Sequence, residues 1–549
     1  MRRVLPTFAA FAFVATLPLH AAAQDAAMLE RRVDSVFAQF TRGVGPGAAV
    51  VVIRDGQVAF RKGYGYADLE HLVPITPTSM FDVASVSKQF TGLAVSMLID
   101  QGKIALTDDI RKYIPEMHDF GTPITIDHLL HHTSGLRDWP GMLQIAGWNN
   151  GDVIAFDHIL RFAYAQKTLN FAPGAEHTYS NTNYNLLAET VARVSGKSFR
   201  VWTDENIFRP LGMNKSHFRD NLGEVIPNRA WSYLRAPDST WRLAANGLLA
   251  QGSSSLFASA DDLAKWLMNF STRTVGGNSA IDRMLQHTKL NNGSEVKYAF
   301  GVLVDDWRGL RMLTHNGGWA GYSTFTVWFP EIRGGVVMLA NTPASPDALG
   351  IALSEIFFAK HVKPNAPVTA AGSAAPNVAA SLMDEYAGLY KLGPAWYVRI
   401  RREGNTLQTQ ATQEQEFPMV PMSQTEFTVP AYNASVTFVR DSVGKVSSIM
   451  YRGRKSPRVT ETERPLQLAD YEGDYTSDEL SITYTVFVRD GTLMLRNFRR
   501  GSFLLTRAFG DDFRSQAWTV TFDRDASGRV IGFLANAGER NRNVRFTRK

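Results

Sequence analysis

The sequence predicts an α+β protein: an antiparallel sheet packed with helices, followed by two small antiparallel β-barrels. Three observations carry this expectation. Strand-like apolar runs stand near both ends of residues 24–362, with helical periodicity between them. A Pro/Ala-rich stretch interrupts the pattern at 361–381, and the chain beyond it repeats itself at an offset of 84 or 85 residues.

Residues 1–23 read as a secretory signal peptide. Arg2 and Arg3 supply the positive start, Val4 to Leu19 a mostly apolar core, and Ala21-Ala22-Ala23 a small-residue cleavage site. The apolar run falls short of the roughly 20 residues that a membrane span needs, so no membrane anchor is expected. The mature protein is expected to be periplasmic or secreted.

In the first domain, 24–362, Leu29, Val33, Val36, Phe37 and Phe40 recur at helical spacing. A hairpin follows, Gly47–Ile53 and Val58–Gly63 around the turn Asp55-Gly56. Helical periodicity returns in 90–98, 184–194 and 263–270, the last opened by Ser259 and Asp262 at capping-box spacing. Residues 322–329 and 335–341 look like neighbouring strands. The segment 363–380, rich in Pro and Ala with few charges, reads as an extended linker.

The remainder is a tandem repeat, 381–464 and 465–549. Glu385-Tyr386-Ala387-Gly388-Leu389-Tyr390 returns as Asp470-Tyr471-Glu472-Gly473-Asp474-Tyr475, and Val436-Thr437-Phe438 returns as Val520-Thr521-Phe522. Apolar and polar residues alternate between Gly, Asp and Asn turns, as in a small antiparallel barrel. Such barrels offer surfaces for self-association.

Composition narrows the chemistry. The 549 residues contain no cysteine, which excludes disulfides, thiolate nucleophiles and Cys-ligated metals. The net charge of +6 is small for this length, and no dense Lys/Arg run is interleaved with aromatics, so a nucleic-acid partner is disfavoured. No metal or cofactor is expected. Gly-x-Ser-x-Gly and His-Glu-x-x-His are both absent, and the pair His128/His132 at i, i+4 lacks an adjacent Glu.

Three short motifs remain. Ser85-Val86-Ser87-Lys88 stands where an extended stretch gives way to a helix. A serine there meets unpaired N–H groups and the positive dipole end, both of which stabilise developing negative charge. Lys88, almost one turn on, projects from the same face. Desolvated, it could take the serine proton, or stay charged and stabilise an alkoxide. Tyr179-Ser180-Asn181 is the only Tyr-x-Asn among 17 tyrosines. A tyrosine near an ammonium ionises easily enough to serve as a base, and Asn181 offers an amide to lysine and substrate. His315-Asn316-Gly317-Gly318 is the only His-x-Gly among 12 histidines. It would place His315 on a strand edge, with Gly317 and Gly318 allowing close approach of a substrate backbone.

The order and spacing of these motifs, with Leu129-Leu130-His131-His132-Thr133-Ser134-Gly135-Leu136 and Phe171-Ala172-Pro173-Gly174 between them, resemble the penicillin-recognising serine hydrolases. That group includes class C β-lactamases, low-molecular-weight penicillin-binding proteins, family VIII esterases and D-aminopeptidases. The resemblance spans about 45–345 and implies a sheet flanked by helices with a helical subdomain. It further implies that Ser85 is the acylated nucleophile, Lys88 its activating partner and Tyr179 the general base that relays the proton to the leaving group. Asn181, His315 and Gly317 would position substrate, and the backbone N–H groups of Ser85 and Gly318 would form the oxyanion hole. The stretch with His132 and Ser134 would be a structural wall.

One departure bears on the substrate. The β-lactamases carry Lys-Thr-Gly at the third motif, and this chain has none. A histidine there is only partly charged near neutral pH, which disfavours β-lactam hydrolysis. The His-x-Gly form and the paired barrels are similar to D-aminopeptidases. The expected activity is hydrolysis, through an acyl-enzyme, of a small amide, a peptide (including one with a D-residue) or an ester. The alternatives are a β-lactamase or carboxylesterase on the same scaffold, and a non-catalytic binding protein using its barrels.

Overall fold

The computed structural model describes residues 17–149, 151–364, 376–460 and 465–549. The first helix, α1 (Leu17–Val36), contains the three alanines of the expected cleavage site, while residues 1–16 and most of the expected linker lie outside the described residues.

The hairpin read from the sequence is β1 (Ala48–Arg54) and β2 (Gln57–Tyr64). Strands β3 (Leu303–Trp307), β4 (Leu310–Trp319), β5 (Tyr322–Phe329) and β6 (Gly334–Ala340) complete one antiparallel sheet, in the order β3-β4-β5-β6-β1-β2. The apolar run of β1 suits its central place, paired on both sides, whereas β2, with exposed polar residues, forms an edge.

Alternation along the strands sorts their side chains to two faces. Val50, Val52, Phe325, Val327 and Met338 pack with Val33 of α1, with Phe37 just beyond it, and with Leu353 and Phe357 of α5 (Pro346–Phe358). Ala49, Val51, Trp328, Val337 and Leu339 face the larger core, with α2 (Ser87–Asp100) and α4 (Ala260–Thr272). Helix α4 opens as expected, with the Ser259 hydroxyl accepting from Asp262 N at 3.1 Å. Short helices at 126–130, 139–145, 156–165 and 199–203 surround α3 (Asn181–Ser195) in the helical region between the strand groups.

The C-terminal part forms two barrel-like sheets. Eight strands between Gly388 and Val459 close completely. Nine strands between Gly473 and Arg548 nearly close, the break lying between Gly501–Leu504 and Thr506–Phe509. Their interiors are filled with aromatics: Tyr386 stacks on Phe438 at 3.9 Å in the first, and Tyr471 lies 4.8 Å from Phe522 in the second. The repeat extends to hydrogen bonds. Tyr390 Oη donates to Tyr386 O at 2.8 Å, and Tyr475 Oη to Tyr471 O at 2.7 Å. The core of the second barrel also takes in Met142, Ile145 and Ala146 of the first domain.

Candidate active site

Ser85 lies in a 3-10 turn, Ala84–Val86, that leads directly into α2. Ala84 is left-handed (φ 48°), an uncommon state for a residue with a Cβ, and its N–H is held by Asp82 Oδ1 at 2.9 Å. This turn presents the hydroxyl to the cleft while Lys88, fully buried in the first helical turn, reaches it from below.

The Lys88 ammonium nitrogen lies 3.1 Å from Ser85 Oγ, 2.8 Å from Asn181 Oδ1 and 2.7 Å from the Ser253 carbonyl. The last two partners can only accept, so two N–H bonds are committed to them. The third position faces a hydroxyl, which can either accept from an ammonium or donate to a neutral amine. Burial pushes the Lys88 pKa well down, against the pull of Asp138, and Arg540 pushes it further. The geometry therefore fits an amine that takes the serine proton.

Tyr179 precedes α3, with its ring centre 4.8 Å from the Lys88 side-chain nitrogen. Burial raises its pKa, against the Ser85 hydroxyl drawing it down, so at neutral pH the phenol holds its proton. Such a group is better placed to hand a proton to a leaving atom than to open the reaction as a base.

Asn181, the first residue of α3, has its orientation fixed by unlike neighbours. Its oxygen accepts from Lys88, and its NH2 faces both oxygens of Asp138 at 3.0 and 3.1 Å. The amide donors thus serve Asp138. Asp138 also accepts from Asn181 N at 2.8 Å, capping α3. Burial raises the Asp138 pKa, which Arg540 and the Asn181 bonds oppose.

The third motif lies on β4. Strand β3 ends at Leu303, opposite Thr314, so from His315 onward one edge of β4 has no neighbouring strand. A Cβ on Gly317 would stand 2.6 Å from Val83 O and 3.0 Å from Ser85 N, so only glycine lets the strand lie against the nucleophile's turn. A Cβ on Gly318 would meet nothing nearer than 3.8 Å, leaving room at its N–H. His315 itself is buried, and its Nδ1 lies against the Asn316 carbonyl, so that nitrogen carries the hydrogen. Nε2 then accepts from Tyr298 Oη at 2.9 Å. Burial, and then the nearness of the Lys88 nitrogen, lowers the His315 pKa to about 3. The partial charge expected from the sequence is absent because both ring nitrogens are used and the ring is dry.

His132 and Ser134 stand behind the site. The His132 ring packs 4.3 Å from that of Tyr179 and its Nδ1 accepts from Ser180 N; Ser134 bonds Asn183 at 2.8 Å. His128 caps its own short helix through Thr125 N. Half-buried Asp68 with exposed Glu70 and His71 is the one metal-compatible cluster among the described residues, and it contains none of the motif residues.

Sequence reasoning missed Asp138, Tyr298 and the Ser253 carbonyl. Each acts through folding that brings distant segments together, and none stands in a motif. It also missed Arg540, on a loop of the second barrel. The Arg540 guanidinium lies 4.7 Å from the Tyr179 ring centre and 3.3 Å from Asp138 Oδ2.

Comparison with known proteins places this arrangement. Residues 33–357 match the family model described as beta-lactamase. Penicillin-binding protein 4* of Bacillus subtilis is 25% identical over 433 residues, which cover 75% of this chain and 94% of that protein. A D-aminopeptidase of Gluconobacter oxydans is 29% identical over 316 residues, covering 57% of this chain and 59% of its own length. Among solved structures, the octameric penicillin-binding protein homologue from Pyrococcus abyssi superposes with a TM-score of 0.56 at 23% identity. That match covers 87% of this chain and 99% of the other.

Proposed function

The chain belongs to the β-lactamase family and is a serine hydrolase, and from that premise we propose that it cleaves a small amide, peptide or ester through an acyl-enzyme on Ser85. The observation that carries this is the contact of Ser85 Oγ with Lys88, whose two other hydrogen bonds go to acceptors.

In acylation, Ser85 gives its proton to the neutral Lys88 amine as Oγ attacks the carbonyl carbon. The oxyanion forms against the N–H groups of Ser85 and Gly318; losing one such donor typically costs about 10²–10³ in rate. As the intermediate collapses, Tyr179 Oη protonates the leaving atom and regains its proton from the Lys88 ammonium. Water then attacks the ester by the reverse route, and Ser85 is restored. Asp138 and Asn181 hold the lysine, and the open edge of β4 accommodates the substrate backbone.

The neutral His315 supports amide, peptide or ester substrates over β-lactams that rely on a third-motif cation. Peptides with D-residues fall within this class, as the name of the D-aminopeptidase relative suggests. Aromatic and aliphatic side chains fill the barrel interiors, which favours the hydrolase reading over a binding protein that holds its ligand inside a barrel. We further propose that the protein is exported. The Arg2-Arg3 start and apolar run support this, and no described helix is long and apolar enough to cross a membrane.

The test is intact mass of the protein and of Ser85→Ala after brief exposure to an activated acetyl ester, a D-alanine amide and a cephalosporin, with product release followed in parallel. A Ser85-dependent adduct or turnover is expected with the ester and the amide. Activity that survives in Ser85→Ala would sink the assignment. Tyr179→Phe should cost about 10²–10⁴ in turnover; a change confined to affinity would remove its role as proton donor.

A further inference from the structure

The offset of the internal repeat, 84 or 85 residues elsewhere, jumps at one hairpin. Val446 of the first barrel corresponds to Val530 of the second, an offset of 84, but across the next hairpin Arg458 corresponds to Arg548, an offset of 90. The equivalence of the two arginines is structural. Arg458 pairs with Tyr390 across the barrel closure and bonds the carbonyls of Glu385 and Ala387. Arg548 pairs with Tyr475 and bonds those of Asp470 and Glu472. The extra residues fall in a single turn. In the first barrel this turn is Arg452-Gly453, a tight hairpin with both φ values positive. In the second it is 537–543.

That enlarged turn reaches the catalytic domain. The Arg540 carbonyl accepts from Asp138 N at 3.2 Å and from Asn170 Nδ2 at 2.8 Å, and Arg542 N donates to Asn170 Oδ1 at 2.8 Å. Arg542 pairs with Glu176 at 2.9 Å, and buried Arg137 bonds the Arg542 carbonyl at 3.0 Å. These contacts fix the backbone of the turn beside Tyr179 while leaving the Arg540 side chain half exposed.

The basic side chains of this region are not equivalent. Lys88 is spent on three protein partners, Arg137 on Glu479, Thr168 and two carbonyls, and Arg542 on Glu176. His315 is neutral. Arg540 has one ion-pair contact, from Nη1 to Asp138, and among the described residues its Nε and Nη2 have no protein partner. Asp138 is buried and itself held by Asn181, so it aims the guanidinium rather than covering it.

We propose that Arg540 is the anion-recognising residue of the active site, and that it binds a carboxylate on the leaving-group half of the substrate. This rests on the serine-hydrolase reading above. In that reading the leaving atom takes its proton from Tyr179 Oη, so the leaving half lies along the tyrosine whose ring carries the guanidinium at 4.7 Å. A carboxylate a few bonds from the leaving atom reaches the two free N–H directions, the pairing for which a planar guanidinium is suited. The substrate class is an acyl compound that releases an amino, hydroxy or thio acid with its carboxylate free.

The experiment compares two thioesters of N-acetylglycine, one with thioglycolate and one with thioglycolamide as the leaving thiol, in the full-length protein. The wild type should favour the thioglycolate by about 10–100-fold in kcat/KM, the size of a charge-assisted hydrogen bond. Arg540→Ala and Arg540→Gln should bring that ratio close to one, mainly through KM, and Arg540→Lys should keep part of it. An unchanged ratio in Arg540→Ala, or an equal loss on both thioesters, would overturn the proposal. Calorimetric binding of each thioester to Ser85→Ala, with and without Arg540→Ala, reads recognition apart from turnover. Equal affinities of the two thioesters for Ser85→Ala would also overturn it. Thiol release that persists in Ser85→Ala would break the hydrolase reading alone.

Discussion

In the first barrel the last hairpin turns through Arg452 and Gly453; in the second the same hairpin opens into 537–543, and a face of the barrel joins the core around Met142 and Ile145. The frameworks share other details, among them the tyrosine that bonds the carbonyl four positions back and the arginine beside the closing strand pair. The difference teaches that a duplicated barrel acquires a role in a neighbouring site by lengthening one turn and packing a face of its core on that domain. The first barrel contacts the second instead. Lys391 and Tyr397 meet Asp512, and Arg454 meets Glu539 within the enlarged turn.

The largest effect separates the barrels from the catalytic domain. All 12 histidines lie at or before His361, so the barrels carry none. His315, with its pKa at about 3, and His132, held well below its ordinary value by burial and then by the basic groups around it, must stay neutral in the fold. The unfolded chain takes up their protons below about pH 6.5, so stability falls as pH drops from there toward 3. The cost is on the order of several kcal/mol, at about 1.4 kcal/mol per pKa unit. Hydrogen exchange at pH 4.5 against pH 7 should show protection lost first in β1, β5 and β6. Earlier loss in the barrels would break this contrast.

Next is the anchor of the second barrel. Arg137 is 1% exposed and pairs with Glu479, itself 9% exposed, at 2.7 Å. Glu479→Ala leaves a buried guanidinium without its counter-charge, which should cost about 3–5 kcal/mol and show as a lower Tm. Because Arg137 also holds the Arg542 carbonyl, kcat/KM should fall with it. A variant that loses Tm with unchanged kcat/KM would separate the anchor from the site.

Much of this architecture was legible in the sequence. Periodicity gave α2, α3 and α4 to within a few residues, and alternation gave the β1–β2 hairpin and the β5–β6 pair, because each is dictated by neighbours in the chain. The motifs located Ser85, Lys88, Tyr179, Asn181 and His315, which the fold gathers around one cleft. What escaped was whatever depends on tertiary approach. Asp138 follows an unremarkable Leu-Arg pair, and His315 reads as a partial cation until Tyr298 and burial are seen. Arg540 had a readable signal, the change of repeat offset between Val530 and Arg548, but its meaning lay in what the turn touches.

A smaller effect tests whether the two cores are equivalent. Tyr390→Phe and Tyr475→Phe each remove one buried hydrogen bond to a carbonyl four residues back, in residues with no exposure. Each should cost about 1 kcal/mol, and by the same amount within error in denaturant titrations. Unequal costs would show that docking on the catalytic domain stiffens the second core.

The smallest effect concerns the bond between the barrels. Arg454 and Glu539 form an ion pair with side chains 50% and 59% exposed, so solvent screens it and Arg454→Ala should change stability by less than about 1 kcal/mol. Its position matters more than its strength, since Glu539 adjoins Arg540 in the enlarged turn. If the first barrel steadies that turn, Arg454→Ala lowers the preference for a carboxylate-bearing leaving group a few-fold while leaving Tm in place, and raised salt does the same in the wild type. If the preference is unaffected at low and high salt, the turn is held by Asn170, Glu176 and Arg137 alone, and the first barrel stands apart from the site.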